Sequence, residues 1–179
     1  MPLGVEEDMH SPRLDELPVP QSGKTGWPWT EETPPLADSD RNANSWPRIT
    51  IVTPSYNQVN FIEATIRSVL LQGYPNLEYI VMDGGSTDGS VDVIRKYEKY
   101  LAFWRSEKDA GASDAIRRGF DVATGVFLAY LNSDDLYLPG ALRRVEAEFR
   151  HRDSDVIYGN MYWMDQDGKI VRERRQTPF

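Results

Sequence analysis

Short apolar runs alternate with helix-like patterns from residue 48 onward. Six segments of five to ten residues are rich in β-branched and aromatic side chains, which is typical of strands. The predicted strands are residues 48–53, 77–82, 102–106, 126–131, 155–164 and 169–173. The last two flank Asp165-Gln166-Asp167-Gly168, a sequence typical of a tight turn, and are therefore expected to form an antiparallel hairpin.

Four segments between these strands place apolar residues three or four positions apart, which is the spacing of one helix face. The predicted helices begin near residues 60, 90, 112 and 139. Asn60 is expected to cap the first helix, whose inner face would start with Phe61 and Ile62. Pro139 suits the first turn of the fourth helix, because the N–H that proline lacks would have no partner there.

The alternation of strands and helices predicts an α/β fold with a mostly parallel sheet and helices on both faces. Right-handed crossovers bring the carboxyl ends of parallel strands to one edge of the sheet, where such folds bind ligands. Polar loops follow the first four predicted strands and begin near residues 54, 83, 109 and 132. The sequence therefore predicts a ligand site built from these four loops.

The most distinctive loop follows the apolar run at residues 126–131, which we interpret as a buried strand. It contains Asp134 and Asp135. Two adjacent carboxylates at the end of a buried strand lose hydration and repel each other, so they require a cation or several donors. A hard divalent metal would satisfy them, and a solvated turn that caps the next helix is the alternative. Their position on an edge shared with three other polar loops favours the metal.

Composition excludes several kinds of chemistry. The chain of 179 residues has no cysteine, which excludes disulfides and thiolate catalysis. The two histidines, His10 and His151, stand among polar and charged residues, so neither a zinc site nor a Ser-His-Asp triad is expected. The chain also lacks the glycine pattern of dinucleotide-binding folds and the Gly-Lys-Ser/Thr sequence of the Walker loop.

The first 47 residues differ in composition from the rest. They contain nine acidic residues, three basic residues and eight of the twelve prolines. Such a segment buries too little apolar surface to order itself. Residues 1–46 are therefore expected to form a flexible, Pro-rich acidic lead, followed by one globular domain at residues 47–179. Trp27 and Trp29 are expected to dock on the folded part or on a partner, with one anchored turn as the alternative.

Charge and hydropathy limit the partners and the location. The whole chain carries a formal charge of −8, of which the first 47 residues account for −6, and no basic stripe of the kind that nucleic-acid binding requires is present. No apolar run is long enough to span a bilayer, and the N-terminus lacks the pattern of a signal peptide. We therefore expect a cytoplasmic protein and leave peripheral membrane contact open.

Two side chains on the predicted edge suit a nucleotide. Tyr56 could stack on a nucleobase, which is worth about 1–3 kcal/mol per base, or it could cover the first helix as a rim aromatic. Asp83 could accept a hydrogen bond from a base or a ribose hydroxyl, or it could cap the turn made by Gly84 and Gly85. Asp88 is better placed to cap the second helix than to contact a ligand.

Four motifs, each after a predicted strand, together resemble family 2 glycosyltransferases with the GT-A fold, a Rossmann-like fold of nucleotide-diphospho-sugar transferases. They are Ile-Val-Thr-Pro-Ser-Tyr-Asn at 51–57, Ile-Val-Met-Asp-Gly-Gly-Ser-Thr-Asp-Gly-Ser at 80–90, Asp-Ala-Gly-Ala-Ser-Asp-Ala at 109–115 and Leu-Asn-Ser-Asp-Asp-Leu-Tyr-Leu-Pro-Gly at 131–140. The resemblance implies a metal-dependent, inverting transfer of a sugar from a nucleotide-diphosphate donor, expected to be a UDP-sugar. The implied acceptor is a hydroxyl of a glycan or lipid-linked molecule in bacterial polysaccharide or cell-surface glycan synthesis.

The resemblance also implies roles for individual residues. The implied contacts to the nucleotide sugar are Pro54, Tyr56, Asp83, Asp109, Asp114 and Asp134. Asp135 is the implied direct ligand of Mn²⁺ or Mg²⁺, with Asp134 beside it.

Two features depart from the family pattern. Many members carry a second acidic residue where this chain has Gly84, and that residue often contacts the base, so the nucleobase is left open. The family's catalytic base is a carboxylate well downstream of the metal motif, a position that Asp165 and Asp167 do not match. The resemblance therefore implies a domain that is incomplete at its C-terminus, with the base and much of the acceptor site beyond Phe179.

Two alternatives to an active glycosyltransferase follow from the same residues. A nucleotidyltransferase would need a Gly-rich, basic loop after the first strand, and residues 54–58 contain neither a glycine nor a basic residue. The other alternative is an inactive or truncated module that binds a nucleotide sugar, or binds a partner through its Pro-rich lead.

Overall fold

The structure, a computed structural model, describes residues 11–37, 45–151, 154–165 and 168–175. Its helices and strands are β1 (Ile49–Ser55), α1 (Ile62–Leu70), β2 (Leu77–Asp83), α2 (Ser90–Lys96), β3 (Phe103–Ser106), α3 (Ala112–Val122), β4 (Phe127–Tyr130), α4 (Ala141–His151), β5 (Met161–Met164) and β6 (Ile170–Arg174). Short 3-10 helices occur at Leu14–Glu16 and Glu98–Tyr100. The described residues form two compact units, one up to Arg143 and one from Arg144 onward.

The first unit contains a four-stranded sheet in the order β3-β2-β1-β4. All three strand pairs are parallel, which confirms the prediction of a mostly parallel sheet. Every residue of β1 and β2 is buried, because these central strands are covered on both faces. Their register aligns Ser55 with Asp83 at the carboxyl ends, so the loops that follow β1 and β2 start side by side.

Helices cover both faces of this sheet, as predicted. The larger core cluster joins α1 and α2 to alternate residues of β1 and β2, including Ile51 and Tyr79. The smaller cluster joins α3 to the opposite face through Ala115, Val52 and Ile80. Helix α3 lies so close to β1 that a Cβ atom on Gly119 would collide with the Val52 side chain.

Strand β4 departs from the prediction of a buried strand. In the part of the chain that the structure describes, it pairs with β1 alone. Phe127 and Ala129 pack against the core, whereas Leu128 and Tyr130 are 50% and 55% exposed. The prediction was wrong because an apolar run indicates strand propensity, while burial depends on which neighbours the strand acquires in the fold.

The prediction of a flexible lead at residues 1–46 is wrong for residues 11–37. Leu17 and Thr33 are buried. Trp27 packs against the larger core cluster, which agrees with the predicted alternative that this residue docks on the folded part. The fully buried guanidinium of Arg67 on α1 donates hydrogen bonds to the main-chain carbonyls of Pro18, Pro28 and Trp29. Composition misses this packing because the partners come from another element. Residues 1–10 and 38–44 of the predicted lead lie outside the described residues.

Helix α1 is buried on nearly every side. Its buried residues include the polar side chains of Thr65, Arg67 and Ser68 as well as the apolar ones. The predicted cap is wrong, because the helix begins after Phe61 without a side-chain cap, and Phe61 is 48% exposed. The apolar spacing located the helix correctly but not the second layer, made by residues 11–37, that covers its other side.

The second unit contains an antiparallel hairpin, as predicted. Strands β5 and β6 pair with each other, and the N–H of Gly168 donates to the carbonyl of Asp165 across the turn. The first strand begins at Met161 and not at residue 155. Gln166 and Asp167 of the predicted turn lie outside the described residues. Among the residues that the structure describes, no helix combines the length and the apolar character needed to cross a bilayer.

Candidate functional site

The four loops predicted to share an edge of the sheet line one cleft. Its volume is about 790 Å³. The lining residues stand at the end of β1, in the loops after β1, β2, β3 and β4, and at the start of α3: Pro54, Ser55, Tyr56, Gln58, Gly84, Gly85, Lys108, Asp109, Gly111, Ala112, Ala115, Asn132, Ser133 and Asp134. Parallel strands account for the arrangement, because their carboxyl ends all point to this edge. The cleft contains the predicted site residues Pro54, Tyr56, Asp109 and Asp134.

Tyr56 lies at the rim of the cleft with 62% of its surface exposed. The following residue, Asn57, has a positive φ of 53°, a conformation that asparagine tolerates better than most residues. Its side chain accepts a hydrogen bond from the N–H of Thr87, and its own N–H donates to the hydroxyl of Ser86. These bonds hold the loop after β1 against the loop after β2, next to the exposed Tyr56.

Asp83 is turned inward and does not line the cleft. It is only 2% exposed, and its carboxylate accepts hydrogen bonds from the N–H groups of Gly85 and Ser86 and from the hydroxyls of Ser86 and Ser106. This geometry favours the turn-capping alternative over a direct ligand contact. Asp83 also ties the end of β2 to the end of β3 through the hydroxyl of Ser106.

Asp109 occupies the space beside Gly84. A Cβ atom on Gly84 would lie 3.0 Å from Asp109 Oδ2 and 3.1 Å from Asp109 Oδ1. The other carboxylate contact is local, since Asp109 Oδ1 accepts a hydrogen bond of 2.8 Å from the N–H of Gly111. A carboxylate from the loop after β3 therefore lies in the space that a side chain at position 84 would enter.

Asp114 and Asp88 have structural partners outside the cleft lining. Asp114 forms ion pairs with Arg117 and Arg118 on α3. The pKa of Asp114 is lowered, chiefly by the hydrogen bond from Arg117. Asp88 accepts hydrogen bonds from Ser90 and from the N–H of Val59, as expected for a cap at the start of α2. Slight desolvation raises the pKa of Asp88, but these hydrogen bonds outweigh it, and the pKa is lowered overall.

The acidic pair stands in the loop after β4. Asp134 lines the cleft, and Asp135 Oδ2 accepts a hydrogen bond of 3.2 Å from the Asn132 amide. The pKa of Asp135 is raised overall, although part of the residue is exposed. Loss of hydration is the largest cause, and the negative charge of Asp134 raises the pKa further, whereas the hydrogen bond from Asn132 lowers it. A nearby cation would relieve both of the effects that raise this pKa.

The acidic pair alone is an incomplete set of metal ligands. Among the described residues, no three Asp, Glu, His or Cys side chains cluster closely enough to hold an ion. Mg²⁺ is usually bound by one or two carboxylates, with water and substrate phosphate oxygens completing the octahedron. Asp134 and Asp135 fit that mode of binding, in which the phosphate of a ligand supplies the remaining oxygens.

Two cleft residues were missed by the sequence analysis. Ser55 is only 4% exposed, and its Oγ is the one buried side-chain N or O atom in the described residues without a hydrogen-bond partner. Lys108 is the one cationic residue among the described residues that line the cleft. Their positions could have indicated that they belong to the site, because both stand beside the ends of predicted strands. Their residue types gave no such indication, because serine and lysine are common in ordinary loops.

Comparisons with known proteins agree with this geometry. The profile of glycosyl transferase family 2 matches residues 50–178. A teichuronic acid biosynthesis glycosyltransferase of Bacillus subtilis, TuaG, is 34% identical over 125 residues, which are 68% of this chain and 50% of that protein. A PGL/p-HBAD biosynthesis glycosyltransferase of Mycobacterium bovis is 34% identical over 120 residues, which are 64% of this chain and 47% of that protein. The chain thus spans about half the length of these relatives.

Solved structures show the same fold at lower identity. S. aureus TarS 1–349 in complex with UDP-GlcNAc has a TM-score of 0.56 and 24% identity over 60% of this chain and 32% of that chain. The mannosyltransferase PcManGT of Pyrobaculum calidifontis, in complex with GDP-Man and Mn²⁺, has a TM-score of 0.54 and 23% identity over 73% of this chain and 38% of that chain. Sheet, cleft and family profile together establish that the chain belongs to glycosyl transferase family 2.

Proposed function

We propose that this chain carries the donor-binding part of an inverting, metal-dependent glycosyltransferase. The donor is a nucleotide-diphosphate sugar, taken to be a UDP-sugar, and the acceptor is a hydroxyl of a bacterial cell-surface glycan or a lipid-linked precursor. The observation that carries the proposal is the single cleft that contains Tyr56, Asp109, Lys108 and Asp134. The names of the relatives, which refer to teichuronic acid and PGL/p-HBAD biosynthesis, support the choice of acceptor class.

The nucleoside is assigned to the part of the cleft that follows β1 and β3. The exposed ring of Tyr56 offers a stacking surface, which is worth about 1–3 kcal/mol for one base. The Asp109 carboxylate offers an acceptor for a base N–H or a ribose hydroxyl. Pro54 adds an apolar wall, and the buried Oγ of Ser55 offers a hydroxyl that is not engaged by the protein.

The diphosphate is assigned to the region of Asp134, Asp135 and Lys108. Asp135, with Asp134 beside it, would hold Mn²⁺ or Mg²⁺, and the bound ion would supply positive charge to the diphosphate leaving group. Lys108 adds a cation to the same cleft, which would stabilise the negative charge that grows on the diphosphate as it leaves, without depending on the metal.

The transfer itself requires an acceptor hydroxyl to attack the anomeric carbon while a base accepts its proton, which inverts the sugar configuration. We assign no described residue to the role of that base. The chain's own contribution is to hold the donor, to stabilise charge on the leaving group and to present the sugar at the open side of the cleft.

Calorimetric titration tests the donor and metal assignments together. We expect UDP and a UDP-sugar to bind in the presence of Mn²⁺ and to bind at least tenfold more weakly in EDTA, a difference of about 1.4 kcal/mol. GDP and GDP-sugars, titrated in parallel, test whether uracil is the preferred nucleobase. Asp135→Asn should remove most of the dependence on Mn²⁺, because it removes the carboxylate assigned as the direct ligand of the ion.

The matched control is Asp92→Asn, which removes an exposed carboxylate paired with Arg95 on α2, outside the cleft lining. It should bind UDP as the wild type does. Equal UDP affinity of the wild type and Asp135→Asn at saturating Mn²⁺ would refute the metal assignment.

The rival reading of a partner-binding module relied on a free Pro-rich lead. Residues 11–37 pack on the core and are not free, which argues against that reading for this part of the chain. A binding-competent but inactive donor site remains the second candidate, and product analysis by NMR with candidate acceptors separates it from an active transferase.

A further inference from the structure

The structure assigns a positioning role to residues 26–33, here called the brace. We propose that the brace holds residues 132–140, here called the acidic loop, in the conformation that binds the divalent metal and the donor diphosphate. This inference rests on the proposed function of Asp134 and Asp135.

One side of the acidic loop is fastened by a polar face of α1 and the residues just after it. Thr65, Ser68 and Gln72 are all fully buried and lie on one face at helical spacing. The Thr65 hydroxyl lies 2.9 Å from the carbonyls of both Ser133 and Asp135, so it can donate to either one. The Ser68 hydroxyl accepts from the N–H of Tyr137 at 3.2 Å. The Gln72 amide donates to the carbonyl of Leu138 at 3.0 Å.

The brace fastens the loop with two further bonds. The indole N–H of Trp27 donates to the carbonyl of Tyr137 at 2.8 Å, and the N–H of Gly140 donates to the hydroxyl of Thr33 at 3.0 Å. Both bonds reach the main chain of the loop and therefore fix its path directly. Tyr137 stands two residues after Asp135 and receives bonds from α1 and from the brace, one on its N–H and one on its carbonyl.

The brace is itself anchored to the core. The N–H of Thr33 donates to the carbonyl of Leu71 at 3.2 Å, next to the end of α1. Arg67 holds the carbonyls of Pro28 and Trp29 at 3.0 and 3.1 Å. Within the brace, the N–H groups of Trp29 and Thr30 both donate to the carbonyl of Gly26. Because the brace is bonded both to α1 and to the acidic loop, it can hold the loop at a fixed position relative to α1.

The loop needs such support because it brings two carboxylates together before any cation is bound. Repulsion between Asp134 and Asp135 favours conformations in which the loop opens. If only a fraction of molecules has the closed loop, the apparent dissociation constant of the ligand rises in inverse proportion to that fraction. Loss of one brace bond should therefore weaken metal-dependent binding without changing the surface that stacks the base.

The experiment compares brace variants of the full chain by calorimetric titration of UDP, with Mn²⁺ and in EDTA. Thr33→Val keeps the shape of a buried side chain but removes the acceptor for Gly140, and Trp27→Phe removes the donor to Tyr137. Each should weaken UDP binding in Mn²⁺ by roughly two- to tenfold, the equivalent of one hydrogen bond, and should leave binding in EDTA unchanged. Thr33→Ser, which keeps the hydroxyl, should bind as the wild type does.

Ser11→Ala is the matched control, because the Ser11 hydroxyl donates to the carbonyl of Tyr74 at 2.7 Å, a bond outside both the brace and the acidic loop. It should bind UDP as the wild type does. Wild-type affinity in Mn²⁺ for both Thr33→Val and Trp27→Phe would overturn the inference, as would an equal loss in Mn²⁺ and in EDTA, which indicates a general structural effect. Absence of Mn²⁺-dependent UDP binding by the wild type would instead refute the proposed function.

Discussion

At the scale of single residues, Gly84 and Asp109 show how the loops of the cleft constrain one another. The loop after β3 passes so close to the loop after β2 that a side chain at position 84 would touch the Asp109 carboxylate. A side chain at position 84 would therefore fit only if the Asp109 carboxylate moved by a few tenths of an ångström. The same contact places an acidic group of the neighbouring loop where a side chain of residue 84 would otherwise stand.

The pair gives a swap experiment. Gly84→Asp should weaken UDP binding by about tenfold, or about 1.4 kcal/mol, because the new side chain meets the Asp109 carboxylate with a like charge. Adding Asp109→Gly should restore most of the affinity, because one carboxylate then occupies the shared space. Calorimetric titration of UDP measures both. Gly159→Asp, at a position where a Cβ would meet nothing within 4 Å, controls for the added charge. If the double variant bound UDP more weakly than Gly84→Asp alone, the prediction that the two carboxylates can exchange places would be contradicted.

At the scale of elements, Glu78 joins β2 to the turn between α3 and β4. It is 6% exposed, and its carboxylate accepts hydrogen bonds from the Thr50 hydroxyl and from the N–H and hydroxyl of Thr124. The Thr50 hydroxyl in turn accepts from the N–H of Gly125. Burial raises the pKa of Glu78, but the bonds from Thr124 and Thr50 and the charge of Arg48 outweigh it, so the pKa lies below the ordinary value of 4.5.

This lowered pKa predicts a pH dependence of stability. The unfolded chain takes up a proton on Glu78 near pH 4.5, whereas the folded chain resists it to lower pH, so the contribution of Glu78 is complete above that pH and is lost below it. Glu78→Gln should lower the free energy of unfolding by about 1–3 kcal/mol at pH 7 and should flatten its fall between about pH 5 and 3. Urea unfolding at several pH values measures this, and Glu31→Gln, at an exposed position, is the control. An unchanged pH slope in Glu78→Gln would contradict the assignment.

At the scale of the whole molecule, one buried cation connects residues 11–37 to helix α1. Arg67 has no exposed surface, and its guanidinium donates to three main-chain carbonyls and to the hydroxyl of Tyr97. Tyr97 in turn donates to Glu63, which places an acidic group near the buried charge. Removal of such a hub leaves several buried acceptors without donors, and each costs about 1–3 kcal/mol.

Arg67→Met should therefore lower the free energy of unfolding by at least about 3 kcal/mol and should expose residues 11–37 to proteolysis. Arg67→Lys should not rescue it, because an ammonium group cannot match the planar fork of donors. Urea unfolding and limited proteolysis with mapping of the cut sites measure the two effects. Arg95→Met, at a surface position on α2, should behave as the wild type does. Resistance of residues 11–37 to proteolysis in Arg67→Met would show that this segment is held by other contacts.

What the sequence by itself determined is the order of the elements, the parallel sheet and the edge on which the ligand loops meet. These follow from local patterns, because apolar periodicity and turn residues act within a few positions along the chain, and strand direction then places every loop. Tyr56, Asp109 and Asp134 were correctly placed in the cleft for this reason. The family motifs lie in the same loops.

Only the tertiary structure decided which residues line the cleft and what surrounds each element. Asp83 turns inward because three neighbouring residues offer donors at that point, and β4 stays half exposed because it has one strand neighbour in the described sheet. Residues 11–37 are ordered because Arg67, Leu71 and Tyr137 supply partners from distant positions. Burial and hydrogen bonding depend on groups that are remote in sequence, so composition and periodicity alone could not reveal them.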